Sequence, residues 1–89
     1  QKAVLAGLAV AQQKLEAGDA QKSLAACRYT LALEPWQEEA VLLGMKACMM
    51  LNDRAAAIRL YKKLERILRE ELDVAPQPAI SDYYRTMVE

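Results

Sequence analysis

The sequence predicts an all-α fold built from antiparallel helix pairs. Three observations predict it. The 89 residues contain only three Gly and three Pro, and Phe is absent. The apolar content is dominated by Ala and Leu, both strong helix formers. Apolar residues recur at three- and four-residue spacing between well-separated breakers, as the faces of helices do.

A first helix is expected from Lys2 to Ala17, with Leu5, Leu8, Ala11 or Gln12, and Leu15 as its stripe. Gly18-Asp19 ends it. Gly accepts the left-handed backbone just past a helix end, and Asp19 can cap the next helix through its carboxylate. The second helix runs from about Ala20 to Leu33, with Leu24, Cys27 or Arg28, and Leu31 inward. Glu34-Pro35 closes it, because a proline disfavours helical geometry in the residue before it.

The third helix is expected from about Trp36 to Leu51, with Pro35 at its start. Ala40, Leu43, Ala47 and Met50 form one face, widened by Leu42, Met45 and Met49. Trp36 reads as a packing anchor at the junction. Asn52-Asp53 repeats the chemistry of Gly18-Asp19. A fourth helix runs from about Arg54 to Leu72, with Ile58, Tyr61, Leu64 or Glu65, Leu68 and Leu72 on its stripe. Pro76 and Pro78 interrupt any further helix. A short last one follows, from Ala79 to about Met87, with one of Tyr83 and Tyr84 turned in and the other out.

The two turns lie thirty-four residues apart, and Ser23-Leu24 falls on Ala57-Ile58 at the same offset. That period is the tetratricopeptide length. The expected architecture is tetratricopeptide-like: about two and a half repeats in a right-handed superhelical stack, forming a single domain over residues 1–89. The match has gaps, since Val10-Ala11 stands where the repeat favours Leu-Gly and the second repeat lacks its closing proline. No Met opens the chain, so it is read as a segment of a longer protein.

Chemistry is scarce. There is no His, which removes the usual general base near neutral pH. No phosphate loop, catalytic triad or metal motif appears. Glu38-Glu39 and Glu70-Glu71 are neighbours whose side chains diverge on a helix, so they make poor acid–base pairs. We expect no catalysis, no cofactor, no metal and no small-molecule substrate. The formal net charge is zero, unlike the basic footprint of a free-standing nucleic-acid binder. No apolar run is long enough to span a membrane, and a cytoplasmic setting is expected. Cys27 and Cys48 read as buried free thiols. A disulfide between them would require close, correctly aimed Cβ atoms.

Two surfaces are candidates for partner contact. The inner face of each pair's first helix, which such repeats use for partners, carries Leu8, Gln12, Leu15, Glu39, Leu42, Lys46 and Met49. A basic strip carries Arg59, Lys62, Lys63, Arg66 and Arg69, with Lys62, Arg66 and Arg69 on a common face. Each has a bland alternative: inner-face residues that pack on each other or on the last helix, and a strip that is merely solvated.

Three stretches carry a narrower resemblance: Leu31 to Ala40 (LALEPWQEEA), Asp53 to Tyr61 (DRAAAIRLY) and Leu68 to Pro78 (LREELDVAPQP). The last is similar to a characteristic ending of the bacterial transcriptional activator domain of SARP-type regulators, with Asp73 where that family has Gly. The resemblance implies tetratricopeptide-like helices placed after a winged-helix DNA-binding domain. It also implies a part in subunit contacts and in modulating the activator. On that reading the partner is another protein or a second copy, and DNA is met only through an attached domain. The alternative is a generic scaffold module that binds a peptide or helix in a multi-domain signalling or secretion protein.

Overall fold

The computed structural model describes residues 1–89. It contains five α-helices and no strand: α1 (Lys2–Glu16), α2 (Ala20–Leu33), α3 (Glu38–Met50), α4 (Arg54–Ile67) and α5 (Pro78–Val88), with a π-helical turn (Leu68–Leu72) continuing α4. They pack into a flat body of 34 × 34 × 18 Å. No helix is long and apolar enough to cross a membrane.

The two inter-helix turns of the repeat are built alike. Gly18 and Asn52 both adopt the left-handed backbone, at φ 81° and 59°. The Asp19 amide then donates to Lys14 O at 2.9 Å, and the Asp53 amide to Cys48 O at 2.8 Å. This is the six-residue closure that uses an otherwise orphaned helix-end carbonyl. Each Asp next caps the following helix: Asp19 Oδ1 accepts from Lys22 N at 3.1 Å and Asp53 Oδ1 from Ala56 N at 3.0 Å. Such a cap contributes about 1 kcal/mol. Both turns match the sequence expectation in residue and in role.

Small residues set how closely the helices approach. Ser23 Oγ donates to Ala11 O at 2.8 Å across the buried α1–α2 seam. Gly7 faces Thr30, whose hydroxyl donates to Ala26 O at 2.9 Å. Because Gly7 meets Thr30 and Ala11 meets Ser23, the two helices run antiparallel. Gly44 sits between neighbours on both sides: a methyl there would lie 3.5 Å from Cys27 Cβ on α2 and 3.0 Å from Leu60 Cδ1 on α4. Helix α3 is accordingly the most enclosed, burying Ala40, Val41, Leu43, Gly44, Met45, Ala47 and Cys48.

Several expectations are corrected. α3 begins at Glu38 rather than Trp36, because Pro35 and Trp36 form the turn and the Gln37 side chain accepts from Glu39 N at 3.3 Å. Of the expected α1 stripe, Ala11 is buried and Leu8 and Leu15 pack beside it, but Leu5 faces outward, and Val4 and Gly7 are buried in addition. The α1–α2 seam selects small side chains, which a count of Leu positions misses. Met50 and Leu72 are exposed rather than inward, each at the last turn of its element where the packing surface runs out. Regular α-helix ends at Ile67, and the π-helical turn finishes with Asp73 in the left-handed conformation, φ 53°. That conformation is the physical reason a Gly would suit the position, since only Gly adopts it without steric cost. The last helix begins one residue earlier, with Pro78 in its first turn.

Helix α5 closes the far end against α3 and α4. Ile80 and Met87 are buried, and the Tyr84 ring stacks on Tyr61 with centroids 4.0 Å apart and planes 8° from parallel. Tyr83 lies under Lys46, whose Nζ is 5.7 Å from the ring centroid. Both tyrosines are thus half-buried, rather than one in and one out. The preceding connector is tied to α3 by Gln77 N donating to Glu38 Oε1 at 2.7 Å.

Gly7→Ala is expected to destabilise the chain by about 1–2 kcal/mol, because overpacking against the stiff Thr30 outweighs the gain in helix propensity. Gly44→Ala should stay within about 1 kcal/mol of wild type, since the end of Leu60 can rotate away. Urea denaturation of the two variants checks this difference.

Candidate functional site

The candidate residues of the inner face do not form one open surface. Leu8 and Leu15 are half-buried against Ala11, Cys27 and Leu43. Leu42 and Met49 pack at the edge of the main core. Leu42 also borders a shallow cavity of about 300 Å³ with Glu38, Glu39, Gln77, Ala79 and Ile80, so α5 lies over this end of the face. Lys46 is engaged by Tyr83. Gln12 is exposed, and its amide donates to Glu16 Oε2 at 2.9 Å. Glu39 is exposed as well.

The basic residues divide between two sides of α4. All five are exposed. Lys62 points toward α5: its Nζ lies 5.4 Å from the Tyr84 ring centroid and 3.6 Å from Glu65 Oε1. Glu65, and after it Tyr84, holds the Lys62 ammonium above its ordinary pKa. Lys63 points the other way, toward α2. There it joins Arg28, Leu31, Ala32, Pro35, Val41, Leu60 and Leu64 around a groove of about 320 Å³. The floor is apolar, and the cations Arg28 and Lys63 stand at the rim.

Beyond Pro35 the groove is succeeded by a second cleft of about 230 Å³, lined by Trp36, Ile67, Glu71 and Leu72. Trp36 is 47 % exposed, so it walls this cleft instead of anchoring the core. The reading from sequence missed this surface. The signal was present in the spacing, since Leu60, Lys63, Leu64 and Ile67 recur at three- and four-residue intervals on α4, but only the approach of the α2–α3 turn reveals what they face. Exposed tryptophan beside apolar neighbours is the composition of an interface hot spot.

Cys27 and Cys48 are both free and buried. Burial, then the neighbouring Cys48, pushes the Cys27 thiol up to about 11, with the Ser23 hydroxyl acting in the opposite sense. Burial, then Asp53, raises Cys48. Thiolate is the nucleophilic and metal-ligating form, so these positions are inert near neutral pH. No group of three or more His, Cys, Asp or Glu is placed to hold a metal, and no buried side-chain polar atom lacks a hydrogen-bond partner.

A family model described as the bacterial transcriptional activator domain matches residues 1–87. No curated protein matches the chain, and no solved structure does.

The buried thiol has a measurable consequence. Below the unfolded-state pKa near 9, Cys27 is protonated in both states and makes no difference to stability. Between there and about 11 the unfolded chain releases the proton while the folded chain keeps it. Stability therefore falls as pH rises through this window, by roughly 2–3 kcal/mol. Chemical denaturation at pH 8.5 and 10.5 should show about 1.7 kcal/mol of this loss from Cys27, and Cys27→Ala should reduce the total without abolishing it, because Cys48, Tyr61 and Tyr83 are raised as well.

Proposed function

The chain belongs to the bacterial transcriptional activator domain family, and from that premise we propose that it is a non-catalytic interaction and oligomerisation module of a bacterial transcriptional regulator. It positions an attached DNA-binding domain and carries contacts to protein partners or to further copies. DNA is read by the attached domain.

The observation that carries this reading is a pair of mainly apolar clefts along the α2–α4 edge, on either side of the Pro35–Trp36 turn. Leu31, Ala32, Pro35 and Leu60 line the first beside Arg28 and Lys63. Trp36, Ile67 and Leu72 line the second beside Glu71. An amphipathic helix is the natural occupant of such a groove, inserting apolar side chains at three- and four-residue spacing. Opposite charges at the two ends fix its direction, because electrostatic complementarity sets register more than raw affinity. Of the basic strip, Lys63 belongs to this groove; Lys62 lies on the α5 side of α4, Arg69 lines a separate cleft with Glu65, Asp73 and Pro76, and Arg59 and Arg66 are solvated. The inner face from Leu8 to Met49 serves mainly to seat α5 and the neighbouring helices, leaving Gln12 and Glu39 at its accessible rim.

The test compares transcriptional output with promoter binding in the intact regulator. Trp36→Ala is expected to weaken partner engagement about thirtyfold, the size of a hot-spot truncation. Reporter activation should fall with it while promoter affinity holds. Charge reversal at Arg59, Lys62 and Arg66 should leave promoter affinity and its salt dependence unchanged, because these residues touch no phosphate. Full activation by Trp36→Ala, or a shallower salt slope after charge reversal, would contradict the reading.

A further inference from the structure

The two clefts along the α2–α4 edge carry opposite charge. The first has Arg28 on the α2 wall and Lys63 on the α4 wall, above an apolar floor that includes Leu31, Val41 and Leu60, and no acidic residue lines it. The second has Glu71 beside Trp36, Ile67 and Leu72, and no basic residue lines it. Arg28, Lys63 and Glu71 are all exposed. The chain has three ion pairs, each between residues three apart, and none of these side chains belongs to one. Every wall of both clefts is an element of this chain.

These charges restrict what can lie in the groove. A helix that covers the apolar floor also takes Arg28 and Lys63 out of water. Removing a charge from water is costly unless a counter-charge meets it. A neutral or basic helix leaves both cations unmet, whereas a carboxylate set between them answers both, and the Arg28 guanidinium can hold it through two parallel hydrogen bonds. At the second cleft the requirement is reversed, because Glu71 calls for a cation. Lys63 and Glu71 are eight residues apart in the chain, about 12 Å along a helix, or roughly two turns of a partner laid alongside.

We propose that the partner of this groove is a helix of another protein with segregated charge. Its acidic side chains flank the apolar residues that enter the cleft of Arg28 and Lys63. About two turns along, a basic side chain flanks those that enter the cleft of Trp36 and Glu71. This names the partner's chemistry for the groove reading above and rests on it. The apolar contacts supply affinity, and the two charge sites select the partner and fix its register. A helix with cations at both ends is rejected in either direction, since one end always meets Arg28 and Lys63.

Fluorescence anisotropy with the intact regulator tests this, using two synthetic helical peptides. Both carry leucines at i, i+3 and i+7. One has glutamates beside the first leucine and a lysine beside the last, and the other has lysines at both ends. The first should bind about tenfold more tightly. Arg28→Glu combined with Lys63→Glu should reverse that preference. Both positions are exposed, and circular dichroism verifies that the double variant keeps its helix content. Arg54→Glu is the control: it is exposed at the start of α4 and lines neither cleft. It should leave the preference unchanged, because screening at physiological salt acts within about 8 Å. Equal binding of the two peptides, or a preference that survives the double reversal, overturns the charge assignment. The groove reading then stands if Trp36→Ala weakens both peptides. Binding of neither peptide overturns the proposed partner, and the Trp36→Ala reporter assay then judges the groove reading by itself.

Discussion

The rest of the structure depends on how α3 is enclosed. It touches every other helix of the chain, and seven of its thirteen residues are buried. A helix packed on several sides must be apolar around much of its circumference and must not be bulky. Ala40, Gly44, Ala47 and Cys48 meet the second condition, and Val41, Leu43 and Met45 fill the space that remains. Interiors tolerate neither gaps nor overlap, so this alternation of small and large fixes where α2 and α4 can lie. Once they are placed, α1 follows by the Ser23–Ala11 hydrogen bond and the Gly7–Thr30 approach. The groove between α2 and α4 is the outer edge of the same arrangement, with Val41 of α3 contributing to its wall.

Helix α5 closes its end of the stack with apolar and aromatic contacts. At the far end, α5 takes the place a next helix would occupy. Ile80 and Met87 supply its burial. The Tyr61–Tyr84 stack adds about 0.5–1.5 kcal/mol beyond area, and the contacts of Lys46 and Lys62 with Tyr83 and Tyr84 add somewhat less. The connector is stiffened by Pro76 and Pro78 and tied to Glu38.

Much of this was legible in the sequence because it depends on local chemistry. Gly18, Asn52, Asp19 and Asp53 specify the same turn twice, and their spacing discloses the repeat. The resemblance from Leu31 onward agrees with the family assignment over residues 1–87. What was not legible depends on which surface meets which. Leu5 has the spacing of a core residue and is exposed, because the α1–α2 seam takes Gly7 and Ala11 instead. Trp36 has the size of an anchor and walls an open cleft, because the chain turns at Pro35 before α3 begins. Lys62 and Lys63 are adjacent in sequence, yet they serve opposite sides of α4. Periodicity identifies a face, but only tertiary placement decides whether that face is covered.

The central claim is that α3 makes the chain one cooperative body rather than two independent helix pairs. Native-state hydrogen exchange tests it most directly. The account predicts that the amides of α3 exchange only through global opening, with a free energy equal to that from denaturant unfolding and at least as large as in any other helix. Exchange of α3 at a lower free energy, while α1 and α2 remain protected, would mean that the pairs open separately and would contradict the account.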